Sequence, residues 1–151
     1  MGPDKQSRRR AIRVLSAATV GLIWGCHRTP DEQQIRTQLD RLQAAVEKRS
    51  AGDFVALVTH DFAGSGGIDR ETLRRTLAGL LLGSDGVHVT WLGPATVEIQ
   101  AGERATVTAD VLATGGRWLP ASGERFRIVS GWRRADGEWR CYSARWNDDA
   151  K

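Results

Sequence analysis

The spacing of apolar residues changes once along this chain, and that change limits the folds open to it. Before about residue 82 apolar side chains recur every three or four positions, and from Val87 onward every second one. Ile35, Leu39, Leu42 and Val46 form one stripe on a predicted helix of about five turns. Ahead of it, Thr29-Pro30-Asp31-Glu32 has the form of a capping box with proline at the first helical position. Ser50-Ala51-Gly52-Asp53 closes that helix, with Gly52 suited to a left-handed C-cap and Asp53 to capping a shorter helix over Phe54 to Thr59. A third helix is predicted from Asp69 to about Leu82. It turns Leu73, Leu77, Leu80 and Leu81 inward and Arg70, Arg74 and Arg75 outward, and Gly83 to Gly86 stops it.

Val87, Val89 and Trp91 then alternate with polar positions, and Gly93-Pro94 interrupts as a bulge or bend because proline cannot donate to a central ladder. Thr96 to Gln100 resumes the alternation. Ala105, Val107, Ala109, Val111 and Ala113 form the next apolar comb. Phe126 and Ile128 begin a further strand, Asp136-Gly137 is a strong hairpin signal, and Glu138 to Trp146 completes the set. Three N-terminal helices packed on a curved antiparallel sheet of about four long strands make an α+β class.

Three stretches carry a family resemblance: Ala51-Gly52-Asp53-Phe54 after the first helix, Gly102 to Val111, and Gly131 to Arg140. In this order and spacing they resemble the nuclear-transport-factor-2-like superfamily, the cone-shaped fold of ketosteroid isomerases, scytalone dehydratase and SnoaL-type cyclases. The resemblance covers Thr29 to Trp146. It implies a pocket between the sheet and the helices, and in the isomerases a carboxylate base, a tyrosine and a protonated aspartate. Carried over by position, the tyrosine falls at Ala45, the base in Gly64-Ser65-Gly66-Gly67 and the second acid near Phe126 to Ile128. None of these positions offers the chemistry. Dehydratase-like members use His/Asp pairs, for which the sequence offers His60 with Asp61, His88 and Asp110. Each has a simpler reading: an exposed pair at a helix end, an edge histidine, and a solvent-facing acid salt-bridged to Arg125 or Arg127.

The first 25 residues have a separate logic. Arg8-Arg9-Arg10 and Arg13 form a positive region, and Val14 to Trp24 lacks charge over 11 residues, too short a run for a spanning helix, which needs roughly 20. Ile23-Trp24-Gly25-Cys26 resembles the bacterial lipobox, although Trp24 replaces the usual small residue. That resemblance implies cleavage before Cys26 and acylation of its thiol, a stable anchor when two or more chains are attached. The expected layout is a signal peptide over 1–25, anchor and linker over 26–30, the domain over 31–147 and a tail over 148–151. His27, in place of aspartate after the cysteine, implies the inner leaflet of the outer membrane, facing the periplasm.

This segment also explains the charge. Lys5, Arg8, Arg9, Arg10 and Arg13 against Asp4 account for the whole formal +4, leaving 17 basic and 17 acidic side chains from Cys26 onward. The pI near 9.7 therefore gives no support to a nucleic-acid partner. With Cys26 acylated, Cys141 has no disulfide partner and reads as a buried, inert thiol. Gly64 to Gly67 lacks the lysine of a phosphate-binding loop and reads as a flexible turn. No cluster has metal-ligand spacing and no cofactor is implied.

Five tryptophans follow the leader. Trp91 and Trp139 are expected in the core, while Trp118, Trp132 and Trp146, with Tyr142, are candidates for ligand or partner contact. The leading expectation is an envelope-anchored lipoprotein acting as a non-catalytic module for a small apolar ligand or an envelope protein. The alternatives are a small isomerase, dehydratase or hydrolase using Asp110 with His88 or His60, and an assembly scaffold, with a homodimer through the sheet.

Overall fold

The helical stripe becomes helix α1 (Pro30–Glu47) in the computed structural model, which describes residues 30–83, 86–101, 103–116 and 123–148. Ile35, Leu39, Gln38 and Ala45 are buried, while Leu42 and Val46 are half-buried. The stripe thus leans toward Ala45, which continues the spacing from Gln38. The α1–α2 junction departs from expectation. Arg49 takes the left-handed conformation (φ 55°), not Gly52. Ser50 caps α2 (Ala51–Ala56), its hydroxyl accepting from the Asp53 amide at 3.2 Å. Gly52 and Asp53 therefore lie inside α2.

Strand β1 (Val58–Gly64) follows at once, where a helix end was expected. Its burial does not alternate: Val58, Thr59 and Phe62 are buried, and its pairing with the last strand is irregular between Val58 and Ala63. Val58 and Phe62 stand four apart, a helical spacing, so the sequence pattern concealed a strand. Ser65–Gly67 is a tight 3₁₀ turn in which Gly66 and Gly67 take positive φ, and the Gly64 amide ahead of it donates to the Ile68 carbonyl at 2.7 Å. The Asp69 carboxylate accepts from the Thr72 amide at 2.7 Å and caps α3 (Arg70–Leu82). Arg70 does not point outward. Its guanidinium donates to the Val55 carbonyl at 3.0 and 3.2 Å, tying α3 to α2.

The remaining strands are β2 (His88–Trp91), β3 (Thr96–Gln100), β4 (Arg104–Thr114), β5 (Glu124–Ala135) and β6 (Glu138–Asp148). The described residues form one six-stranded mixed sheet in the order β1-β6-β5-β4-β2, with β3 also paired to β4. β1 runs parallel to β6 and every other pairing is antiparallel. β2 and β3 both lie against β4, so Gly93-Pro94 divides what would otherwise be one edge strand.

Alternation divides the sheet into two faces. Ala105, Val107, Ala109, Val111 and Ala113 of β4 turn toward the helices and are buried with Trp132, Trp139 and Cys141. Ile35, Val107, Trp132 and Trp139 are the largest side chains with almost no exposure. Trp132 Nε1 donates to Ser130 Oγ at 2.9 Å, and Ser130 Oγ donates to the Val107 carbonyl at 3.2 Å. The buried polar atoms of this pair are thereby satisfied. On the opposite face Thr106, Asp110, Arg125, Arg127, Val129 and Arg145 meet solvent to varying degrees.

Candidate functional site

The structure spreads the candidate catalytic residues apart. His60 lies on β1 and His88 on β2, at opposite ends of the strand order, and Asp110 lies in the middle of β4. All three are exposed. From β1 to β4 is three strand spacings, about 14 Å. His88 pairs with Thr114, four residues along β4 from Asp110, about 13 Å away. Proton-transfer partners need separations near 3 Å.

Asp110 pairs instead with Arg127, directly opposite on β5, at 2.9 Å. The Arg127 guanidinium holds its carboxyl below the usual carboxylate range, which makes it a weaker base. Asp61 is held in the same way by Arg133 at 2.6 Å, so the His60-Asp61 pair is a strand segment bound to the sheet surface rather than a helix end.

Among the described residues the helix-facing side offers no histidine–acid pair in their place, and its half-buried Asp31 is tied to Arg134. Ala45, at the position the resemblance gives to a tyrosine, is 2% exposed within the core. Phe126 and Ile128 are half-buried on β5, and Gly64 to Gly67 brings no carboxylate. Cys141 is a free buried thiol whose Sγ approaches the Ser143 carbonyl at 3.2 Å, and burial pushes its pKa up to about 12. It is no nucleophile. Among the described residues no group of His, Cys, Asp and Glu could hold a metal ion.

Of the contact candidates, Trp132 is corrected outright: at 1% exposure it is core, because its β5 position pairs with Ala105 on the helix-facing side. Trp146 is half-buried on that same side over the 3₁₀ turn, its amide donating to Ser65 Oγ at 3.1 Å. Trp118 and Cys26 lie outside the described residues.

Tyr142 belongs to a different environment. It sits where the β5–β6 register shifts between Gly131 and Trp132, which brings its ring over Gly131 on the open face. A Cβ at Gly131 would stand 2.7 Å from Tyr142 Cζ and 2.6 Å from Ser143 Oγ, so only glycine lets the ring lie there. The guanidinium carbons of Arg104 and Arg133 lie 5.7 and 5.4 Å from the ring centroid, a cation–π arrangement. Beside the ring a concavity of about 430 Å³ is lined by Ala63, Thr106, Val129, Gly131, Tyr142 and Arg145. A second one, of about 310 Å³, lies between α1 and the β2–β3 connection, with Arg36, Leu39, Asp40, Gln43, Trp91 and Pro94. There Arg36 is fixed by Glu32 at 2.8 Å and by the Ala95 carbonyl at 3.1 Å.

Tyr142 is legible in the sequence as a contact candidate, whereas Gly131, Arg104, Arg133 and Arg145 are not. The one available signal was Gly131 ahead of Trp132 in a strand, since a mid-strand glycine marks close approach.

The architecture matches known solved structures. The fold is nuclear-transport-factor-2-like. An NTF2-like protein with a cystatin-like fold from Novosphingobium aromaticivorans superposes with a TM-score of 0.62 at 20% identity, over 80% of this chain and 84% of that one. An NTF2-like superfamily protein from Salmonella enterica serovar Typhimurium gives 0.64 at 15% identity, over 80% and 92%. A scytalone dehydratase-like protein from N. aromaticivorans gives 0.63 at 15% identity, over 77% and 82%. No protein-family model matches the sequence, and no curated protein does. At these identities the likeness concerns the fold alone, which hosts many functions.

Proposed function

We propose that this chain is a lipoprotein of the bacterial cell envelope, anchored through acylated Cys26, whose domain is a non-catalytic binding module. Its contact surface is the open face of the sheet around Tyr142. One observation carries the reading: among the described residues the space between helices and sheet is packed by Trp132, Trp139, Ile35 and Val107 and keeps the smaller concavity, about 310 Å³ beside α1, while the larger, ring-walled one of about 430 Å³ lies on the other side. The separation of His60, His88 and Asp110 supports the same reading, because proton-transfer chemistry needs an acid and a base at one point. The basic, apolar and Gly25-Cys26 succession supports the anchor. The domain is then a periplasmic module on the inner leaflet of the outer membrane.

The test uses a deletion strain with a measurable envelope defect. Tyr142→Ala should fail to complement, while Asp110→Asn and His88→Ala, each folded and anchored, should complement fully. Loss of complementation in Asp110→Asn alone would overturn the binding reading in favour of an enzyme. A membrane fraction without acylated Cys26 by mass spectrometry would remove the anchor and leave the binding module standing.

A further inference from the structure

The open face is unevenly charged. Directly paired residues share a face, so Arg104, Arg125, Arg127, Arg133, Arg140 and Arg145 stand on it with Asp61, Glu98, Asp110 and Glu138. The domain from Cys26 onward is electrically balanced, which makes this surplus of arginine a property of the face. Two of these acids are already engaged, Asp110 on β4 by Arg127 and Asp61 on the edge strand β1 by Arg133. Arg125 and Arg145 are exposed and make no hydrogen bond or ion pair among the described residues.

Their positions are fixed by the ladder. Arg145 pairs with Val129 on β5, four residues from Arg125, so the two residues are rooted about 14 Å apart along the strands. The concavity walled by Tyr142 opens beside Arg145.

We infer that this face docks an acidic, extended polypeptide segment of another protein, laid along β5 and β6, with carboxylates four residues apart meeting Arg125 and Arg145 and an apolar side chain between Tyr142 and Val129. This rests on the reading of the open face as the contact surface. A second copy of the chain fits poorly. A two-fold interface sets the same patch against itself, and this patch brings unpaired arginines on β5 and β6 while its unengaged carboxylate among the described residues, Glu98, stands off to the side on β3. A uniformly anionic surface, such as a bilayer or a nucleic acid, fits poorly as well, since Asp61, Glu98 and Asp110 are interspersed among the cations.

The full chain purified in detergent micelles is titrated by fluorescence anisotropy with a labelled dodecapeptide. The peptide carries two glutamates four residues apart in a serine, threonine and valine background, and a second peptide has lysines at those positions. The glutamate peptide should bind, more weakly as salt rises, and the lysine peptide should not. Arg125→Glu with Arg145→Glu should weaken binding at least tenfold, while Arg75→Glu, on the exposed side of α3, should leave it within twofold.

Equal binding of both peptides, or no loss in the double reversal, overturns the inference. So does a disulfide-linked homodimer of Thr106→Cys that forms spontaneously at micromolar concentration, or tighter binding to anionic than to zwitterionic micelles in the absence of peptide. If the peptide arm fails while Tyr142→Ala still loses complementation, the face remains the contact surface and only the partner's chemistry is wrong.

Discussion

Trp132 separates the two faces of this domain, and removing it tests the assignment of the core. It is 1% exposed, pairs with Ala105 on β4 and donates to Ser130 Oγ at 2.9 Å. Trp132→Ala would leave a cavity against Val107, Trp139 and Cys141 and release the Ser130 hydroxyl from its donor. Such truncations cost about 3–5 kcal/mol, roughly a fifth or more of a typical domain's stability of about 5–15 kcal/mol. Trp132→Phe keeps most of the apolar volume and removes only the indole donor, so its cost should be about 1–2 kcal/mol. Chemical denaturation of the folded fraction reads both, with midpoints falling in the order wild type, Phe, Ala. Should the alanine variant itself fail to accumulate, the phenylalanine variant still carries the test. A phenylalanine variant as stable as wild type, or one as damaged as the alanine variant, would refute the hydrogen-bonded core position.

Four further outcomes follow from the same geometry. Leu39→Ala on α1 should cost about 2–5 kcal/mol, since Leu39 is buried in the same cluster; an unchanged midpoint would mean that α1 does not rest on the sheet. Ser50→Ala removes the acceptor for the Asp53 amide and should cost about 0.5–2 kcal/mol, measured by thermal unfolding. Cys141 should resist alkylation at pH 8 in the folded domain and react only with denaturant, because burial holds its pKa near 12; rapid native-state labelling would show the β5–β6 side of the core to be open. Asp61 and Asp110 are depressed below the carboxylate range, first by their hydrogen bonds to Arg133 and Arg127. Their stabilisation is thus full above the unfolded-state pKa near 4 and lost as pH falls through the folded values; Asp110→Asn should flatten the decline in thermal midpoint between about pH 5 and 2, and an unaltered slope would sink the pairing.

How far the fold could be read from residues depended on whether local pattern and tertiary pairing agreed. The β4 comb from Ala105 to Ala113 alternates because one face is buried along its whole length, and its burial follows the sequence residue by residue. The Asp69 cap was legible because the hydrogen bond is local. β1 was not legible. Its partner is 80 to 83 residues away, it runs parallel, and its pairing skips between Val58 and Ala63, so the period of two never appears in the residues. Arg70 was misplaced for a related reason: its charge suggested solvent, but the acceptor that draws it inward is the Val55 carbonyl on another helix.

The candidate site follows the same rule with the opposite consequence. Histidines and a mid-strand acid attract attention in a sequence because those residue types perform catalysis, yet here each has an ordinary place on a strand. Tyr142 gains its setting from things no residue type announces: an irregular register opposite Gly131, a glycine small enough to receive a ring, and arginines from β4 and β5 that reach over it. Filling the interior with two tryptophans leaves the domain one broad surface that is neither core nor helix-covered. The residues that shape that surface are the ones whose neighbours come from other strands. Gly131→Ala should therefore act at a distance from its own small volume. The added methyl cannot coexist with the present Tyr142 ring, so the ring must swing out and the concavity beside Arg145 must change shape, with the Trp132 core beneath it intact. Partner binding should then fall as far in Gly131→Ala as in Tyr142→Ala, with tryptophan fluorescence of the core unchanged. A Gly131→Ala variant that binds as the wild type does would show that the ring's position plays no part in recognition.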